Sequence, residues 1–175
     1  FEGCTSLREL ILSENVTEIG GSAFSNLSLT NVFVYCNSDF TADWQSFFHN
    51  STIETVTLND TVTSLKLFEH CTISTLILGS GILTNQDFYN SRWDNINVSK
   101  IIISEETQTI GDGAFWGCTS LTEITIPDSV TEIGAQAFEN CQYLKSITLP
   151  DKILIENAAF SGCMSLQSIT LPGNM

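Results

Sequence analysis

Residues Leu121 to Leu144 read LTEITIPDSVTEIGAQAFENCQYL, and Leu144 to Leu166 read LKSITLPDKILIENAAFSGCMSL. The second stretch nearly copies the first. In both, aliphatic residues take the first, fourth and sixth places of a pattern LxxIxI: Leu121-Ile124-Ile126, then Leu144-Ile147-Leu149. In extended chain the fourth and sixth residues share a face, because side chains alternate across a strand. A unit this short cannot bury its apolar side alone. Stacked copies bury one another, so the pattern predicts a continuous core running through piled coils.

The same template recurs outward from this pair. It fits Leu7-Leu10-Leu12, Leu29-Val32-Val34, Ile53-Val56-Leu58, Ile73-Leu76-Leu78, Val98-Ile101-Ile103 and Leu166-Ile169-Leu171. The eight starts, near 7, 29, 53, 73, 98, 121, 144 and 166, are separated by 22, 24, 20, 25, 23, 23 and 22 residues. A second landmark keeps step: Phe1, Phe24, Phe47, Phe68, Phe88, Phe115, Phe138 and Phe160. One phenylalanine per coil predicts an aromatic column inside the core. Between the landmarks lies VxxIG, as Val16-Ile19-Gly20 and Val130-Ile133-Gly134, with a variant at Thr107-Ile110-Gly111. Its glycine suits a positive φ or a close backbone approach. Pro127, Pro150 and Pro172 each follow a template. Proline has no N–H for the ladder, so these are expected to end strands.

The combined pattern, LxxIxIPxxVxxIGxxAFxxCxxL, resembles the leucine-rich repeats of the BspA-like (Treponema-type) family. Residues 98–171 and 1–27 carry it clearly; residues 29–97 keep the strand template and lose most of VxxIG and Ala-Phe. The resemblance implies a leucine-rich-repeat solenoid: a curved, right-handed α/β coil stack with a repeat of about 23 residues. One face is expected to hold a parallel sheet of about eight short strands, the other short strands, turns and short helical turns. It also implies a secreted or surface-attached protein, in a family linked to adhesion, host-protein binding and co-aggregation. The asparagine of the standard leucine-rich repeat is not systematically present. Residues 1–175 read as one solenoid domain with a degenerate centre at 29–97. Both ends cut through a repeat, which suits a fragment of a longer array.

Composition narrows the partners. The chain has 175 residues, 42% of them hydrophobic, enough for a sizeable core. Twenty acids against six bases give a net charge of −14. Such a surface repels phosphate backbones and anionic membranes, so nucleic acid is not an expected partner. Acidic charge keeps a stacked protein soluble; a basic protein or cations are the alternative use. There is no apolar run long enough to span a membrane, and no leader pattern at the start.

The cysteines are a repeat feature. Cys4, Cys71, Cys118, Cys141 and Cys163 each sit three residues after a column phenylalanine, with Leu27, Asn50 and Ser91 at that place in other coils. Small, inward-turned free thiols explain this better than a disulfide framework. Cys36 alone is out of register, either a surface thiol or a strand-end core residue. No metal or cofactor is expected, since CxxC, HxxxH and DxDxDG are missing. His49 and His70 read as solvent-facing loop residues. Without a nucleophile–base pairing or GxSxG, no catalytic residue is assigned and an enzyme is not expected. Glu105-Glu106 are sequence neighbours whose side chains point apart. Sequons at Asn15, Asn26, Asn50, Asn59 and Asn97 arise readily in a chain rich in Asn, Ser and Thr.

A partner would meet the outward residues of the sheet, about 35 Å across for eight strands. The fifth template place reads Ile11, Phe33, Thr57, Ile77, Ile102, Thr125, Thr148, Thr170; the third reads Glu9, Asn31, Thr55, Thr75, Lys100, Glu123, Ser146, Ser168. Ile11, Phe33, Ile77 and Ile102 break the threonine pattern, with Tyr35 one alternate step beyond Phe33. Apolar area on a free face marks an interaction site, unless plain β-propensity placed it there. The candidate partner-binding surface is Ile11, Asn31, Phe33, Tyr35, Ile77, Lys100 and Ile102, joined by Trp44, Tyr89, Arg92 and Trp93 of the degenerate centre. Aromatics and arginine dominate interface energetics, although drift from the repeat produces the same composition. The first functional expectation is therefore a monomeric extracellular or cell-surface module that binds a protein, or a glycan, on a host or neighbouring cell. The second is a spacer or scaffold with no ligand of its own.

Overall fold

The computed structural model describes residues 1–36, 47–60, 62, 65–79, 83 and 96–170. Each of the eight templates becomes a strand: β1 (Glu9–Leu12), β2 (Ser28–Val34), β3 (Thr52–Leu58), β4 (Thr72–Leu78), β5 (Asn97–Ile103), β7 (Glu123–Thr125), β9 (Ser146–Thr148) and β11 (Ser168–Thr170). All pairings are parallel and join equivalent places, for example Leu10↔Val32↔Val56↔Leu76↔Ile101↔Ile124. The expected sheet of about eight strands is divided. Six strands form one sheet, ordered β1-β2-β3-β4-β5-β7, while β9 and β11 pair separately. The strands shorten where prolines enter. Coils without one carry seven-residue strands β2 to β5; β7 and β9, ahead of Pro127 and Pro150, have three residues each. Pro172 lies outside the described residues.

LxxIxI is not a plain alternating strand, since its first two apolar places are three apart. The structure resolves this with a bulge. In β2 the amides of Thr30 and Asn31 both donate to the Arg8 carbonyl, at 2.7 and 3.1 Å. Two residues thus face one, and the side-chain phase shifts by one place. Leu29, Val32 and Val34 are buried while Thr30 and Asn31 both turn outward.

The opposite face holds the expected short strands and turns, with little helix. No α-helix occurs among the described residues, and the helical content there is the 3-10 turn Lys66–Phe68. VxxI instead forms a second, three-stranded parallel sheet of β6 (Thr109–Ile110), β8 (Glu132–Ile133) and β10 (Leu154–Ile155). Ile110 and Ile133 are fully buried beneath it.

Between the sheets runs the aromatic column. Ring centroids of Phe1–Phe24, Phe24–Phe48, Phe48–Phe68, Phe115–Phe138 and Phe138–Phe160 lie 5.5, 5.2, 5.1, 5.0 and 5.2 Å apart, all stacked. The column member of the third coil is therefore Phe48, not Phe47. Phe47 holds the place of the alanine in Ala-Phe: its carbonyl accepts from Phe24 N as that of Ala137 accepts from Phe115 N. Phe88 lies outside the described residues.

The shift moves the cysteine place too, from Asn50 to Ser51. Ser51 is buried; its Oγ donates to Phe24 O at 2.8 Å and accepts from Leu27 N at 3.0 Å. Cys141 Sγ and Cys163 Sγ likewise donate to Phe115 O and Phe138 O of the coils before them. Ser51 thus bridges a turn that elsewhere closes directly, as Cys118 N does on Phe115 O. Ser51→Ala is expected to cost about 1 kcal/mol in urea denaturation, because direct closure of Leu27 N on Phe24 O recovers part of the loss. An unchanged midpoint would contradict the bridging role.

The chain turns around each column ring through left-handed backbone. The residue two places after the ring has positive φ in every described coil: Gly3, Asn26, Asn50, His70, Gly117, Asn140 and Gly162. Ser22, Gly113, Gln136 and Ala158, two places before it, do as well. The VxxIG glycines are not among them, and Gly111 and Gly134 serve close approach instead. A Cβ at Gly111 would come within 2.8 Å of Leu83 O, and one at Gly134 within 2.6 Å of Asp112 N.

Candidate interaction surface

The register of the six-stranded sheet lines up the fifth template place as one continuous row: Ile11, Phe33, Thr57, Ile77, Ile102, Thr125. Neighbouring strands stand about 4.8 Å apart, so these side chains touch across the row and shield one another. Ile11, on the edge strand, is 57% exposed, whereas Phe33, Ile77 and Ile102 are half-buried. Tyr35, 43% exposed, stacks its ring parallel to that of Phe33, centroids 6.4 Å apart. The result is a low apolar ridge, with Thr57 the one polar member between Phe33 and Ile77.

The third-place row runs parallel to it: Glu9, Asn31, Thr55, Thr75, Lys100, Glu123. Asn31 is half-buried beside the ridge. Lys100 Nζ reaches Glu123 Oε1 at 2.6 Å, an exposed pair between neighbouring coils. Such a surface pair contributes little to stability, so Lys100 is not locked into it. Seven of the candidate residues thus belong to one sheet face. Trp44, Tyr89, Arg92 and Trp93 lie outside the described residues. Towards the last coils the face changes, and Thr125, Thr148 and Thr170 stand exposed.

The thiols belong to the core rather than to this face. All six cysteines are free; Cys36, Cys71, Cys118 and Cys141 are buried, Cys163 is half-buried and Cys4 exposed. Cys36 is therefore the strand-end core residue and not a surface thiol. Burial pushes the Cys71 thiol up to about 12 and raises Cys36 and Cys118 as well. Cys141 is raised by its neighbour Cys163 and by burial, while the Cys163 thiol is lowered by the same contact. A thiol held protonated in this way is a poor nucleophile and a poor metal ligand.

His49 and His70 are exposed, as the sequence indicates, but the fold brings them together. Their rings meet edge-on with centroids 5.4 Å apart. Among the described residues no group of three or more His, Cys, Asp or Glu is placed to hold a metal ion. No helix among them is long and apolar enough to cross a membrane.

Against this geometry, the model of the BspA type leucine rich repeat region matches in six copies over residues 1–93 and 86–175. The chain belongs to that family. BspA-type solenoid architecture accounts for the parallel strands, the repeat length and the aromatic column together. Similar solved structures include two from gut bacteria. One is a leucine-rich repeat protein from Bacteroides ovatus, 21% identical, covering 94% of this chain and 55% of its own, with a TM-score of 0.47. The other is a leucine rich cell surface protein from Faecalibacterium prausnitzii, 21% identical, covering 93% of this chain and 47% of its own, with a TM-score of 0.46. The BspA-type chain thus spans about half the length of these structures. No curated protein matches it.

Proposed function

We propose that this chain is an extracellular or cell-surface protein-interaction module. Its partner is a protein of a host or neighbouring cell, and the role is adhesion or capture. The observation that carries the reading is the apolar ridge of Ile11, Phe33, Ile77 and Ile102, extended by Tyr35, on the free face of the six-stranded sheet. Leucine-rich repeats generally bind proteins, and a flat sheet face with side chains at fixed spacing offers a long contact surface. Desolvating a half-shielded apolar row is favourable, and the aromatic pair supplies a rigid anchor. A glycan stacked on Phe33 and Tyr35 is the variant of this reading with a different ligand. The exposed threonines at 125, 148 and 170 favour a second reading for the last coils, in which they act as spacer.

The chain immobilised on beads should capture a surface protein from host or neighbouring cells and hold it at high salt, since the contact is apolar. Replacing Phe33 and Ile77 together by serine is expected to weaken that binding at least tenfold, about 1.4 kcal/mol. Both side chains are only half-buried, so the far-ultraviolet circular dichroism spectrum should be unaltered. Equal capture by the double variant would remove the ridge from the interface and leave the spacer reading.

A further inference from the structure

We propose that His49 and His70 form a two-histidine zinc site on the turns that wrap the aromatic column, away from the sheet face. The ring centroids are 5.4 Å apart with planes inclined at 66°. A zinc–nitrogen bond of about 2.1 Å puts an imidazole centre about 3.2 Å from the metal, so two rings at a tetrahedral angle sit about 5.2 Å apart. At a square-planar right angle they would be about 4.5 Å apart. The observed spacing, which the stacked phenylalanines of neighbouring coils share, places both rings within reach of a tetrahedral ion between them. Both rings are exposed and free to turn about their side-chain torsions, which lets one nitrogen of each face a shared ion.

The backbone holds the pair in place. The His49 carbonyl accepts from Asn26 N and the His70 carbonyl from Asn50 N, each at 3.0 Å, so the two turns are tied into the ladder between coils. His70 occupies the left-handed position that every other described coil fills with glycine or asparagine. Histidine, like asparagine, takes that conformation more readily than most side chains, so the position accepts it without disturbing the turn. The net charge of −14 draws cations towards the surface. With no group of three candidate ligands among the described residues, water fills the remaining coordination places.

Zinc chloride titrated into the full chain by calorimetry tests this. His70→Asn copies Asn26, Asn50 and Asn140, and His49→Ser copies Ser25 and Ser161, so both variants retain the turn. Thermal melts without zinc confirm that they fold. The wild type is expected to bind one equivalent of zinc and to gain melting temperature with it. Each single variant should bind at least tenfold more weakly, and the double variant no more weakly than either single. Absent binding by the wild type, or full affinity retained in either single variant, would overturn the site.

Discussion

Replacing Phe115 by alanine is expected to destabilise the protein by about 3–5 kcal/mol, a large share of the stability of a domain this size. The ring is fully buried and stacks on Phe138 with centroids 5.0 Å apart. Truncation removes that burial and opens a cavity between two sheets. The cavity cannot collapse easily, because backbone hydrogen bonds on both sides fix the spacing of the coils. The Phe115 amide donates to Ala137 O at 2.7 Å, and the Phe138 amide to Ala159 O at 2.7 Å. Tyr143, 60% exposed, provides the contrast. Tyr143→Ala should cost less than about 1 kcal/mol, since little area returns to water. Urea denaturation of both variants reads the difference, and equal costs would mean that the column does not carry the core.

Gly79→Ala is the second large effect. Gly79 follows β4, and a Cβ there would overlap the carbonyl carbon and oxygen of Asn59 and come within 2.6 Å of Asp60 N. These are backbone atoms of the preceding coil, which cannot turn aside as a side chain can. The coils must part locally, and overpacking of this kind costs about 1–3 kcal/mol. Gly20→Ala is the matched control, since nothing lies within 4 Å of its would-be Cβ. It is expected to be neutral or slightly stabilising, because alanine lowers the entropy of the unfolded chain. A thermal melt that places the two variants together would contradict the close approach of coils at Gly79.

Much of this architecture is legible in the residues. Period-two pairs such as Ile124 and Ile126, repeated at near-constant spacing, have one economical solution, and the parallel register reproduces it place for place. The third coil misleads because two phenylalanines stand side by side. Phe47 precedes Ile53 by six residues, the spacing of the clearest coils, while Phe48 precedes it by five. The neighbouring coils hold the signal: FSNLSL from Phe24 and FEHCTI from Phe68 both use five, and FHNSTI from Phe48 aligns with them. The short strands of the second face follow from the family resemblance and not from a period, because strands of two residues are too short to show one. The left-handed turn positions are hidden for another reason. Glycine, asparagine, histidine, serine, glutamine and alanine all occur at them, since the ladder between coils imposes the conformation whatever the side chain.

The outward ridge shows a similar limit. Ile11, Phe33, Ile77 and Ile102 can be placed on one face from the template alone. Their mutual shielding, and the stacking of Tyr35 on Phe33, needed the register. The meeting of His49 and His70 was invisible for the same reason. They stand at different places in their coils, one and two residues after the column ring, and only the turn geometry joins them.

A double-mutant cycle on the column tests the stacked-coil account most directly. Phe115→Leu and Phe138→Leu, alone and together, measure the coupling of rings in adjacent coils; Phe24→Leu with Phe138→Leu measures that of distant ones. Adjacent rings should couple by about 0.5–1.5 kcal/mol, and the distant pair should be additive within about 0.5 kcal/mol. Additivity in both pairs, or equal coupling in both, would contradict a file of rings in which each coil touches only its neighbours.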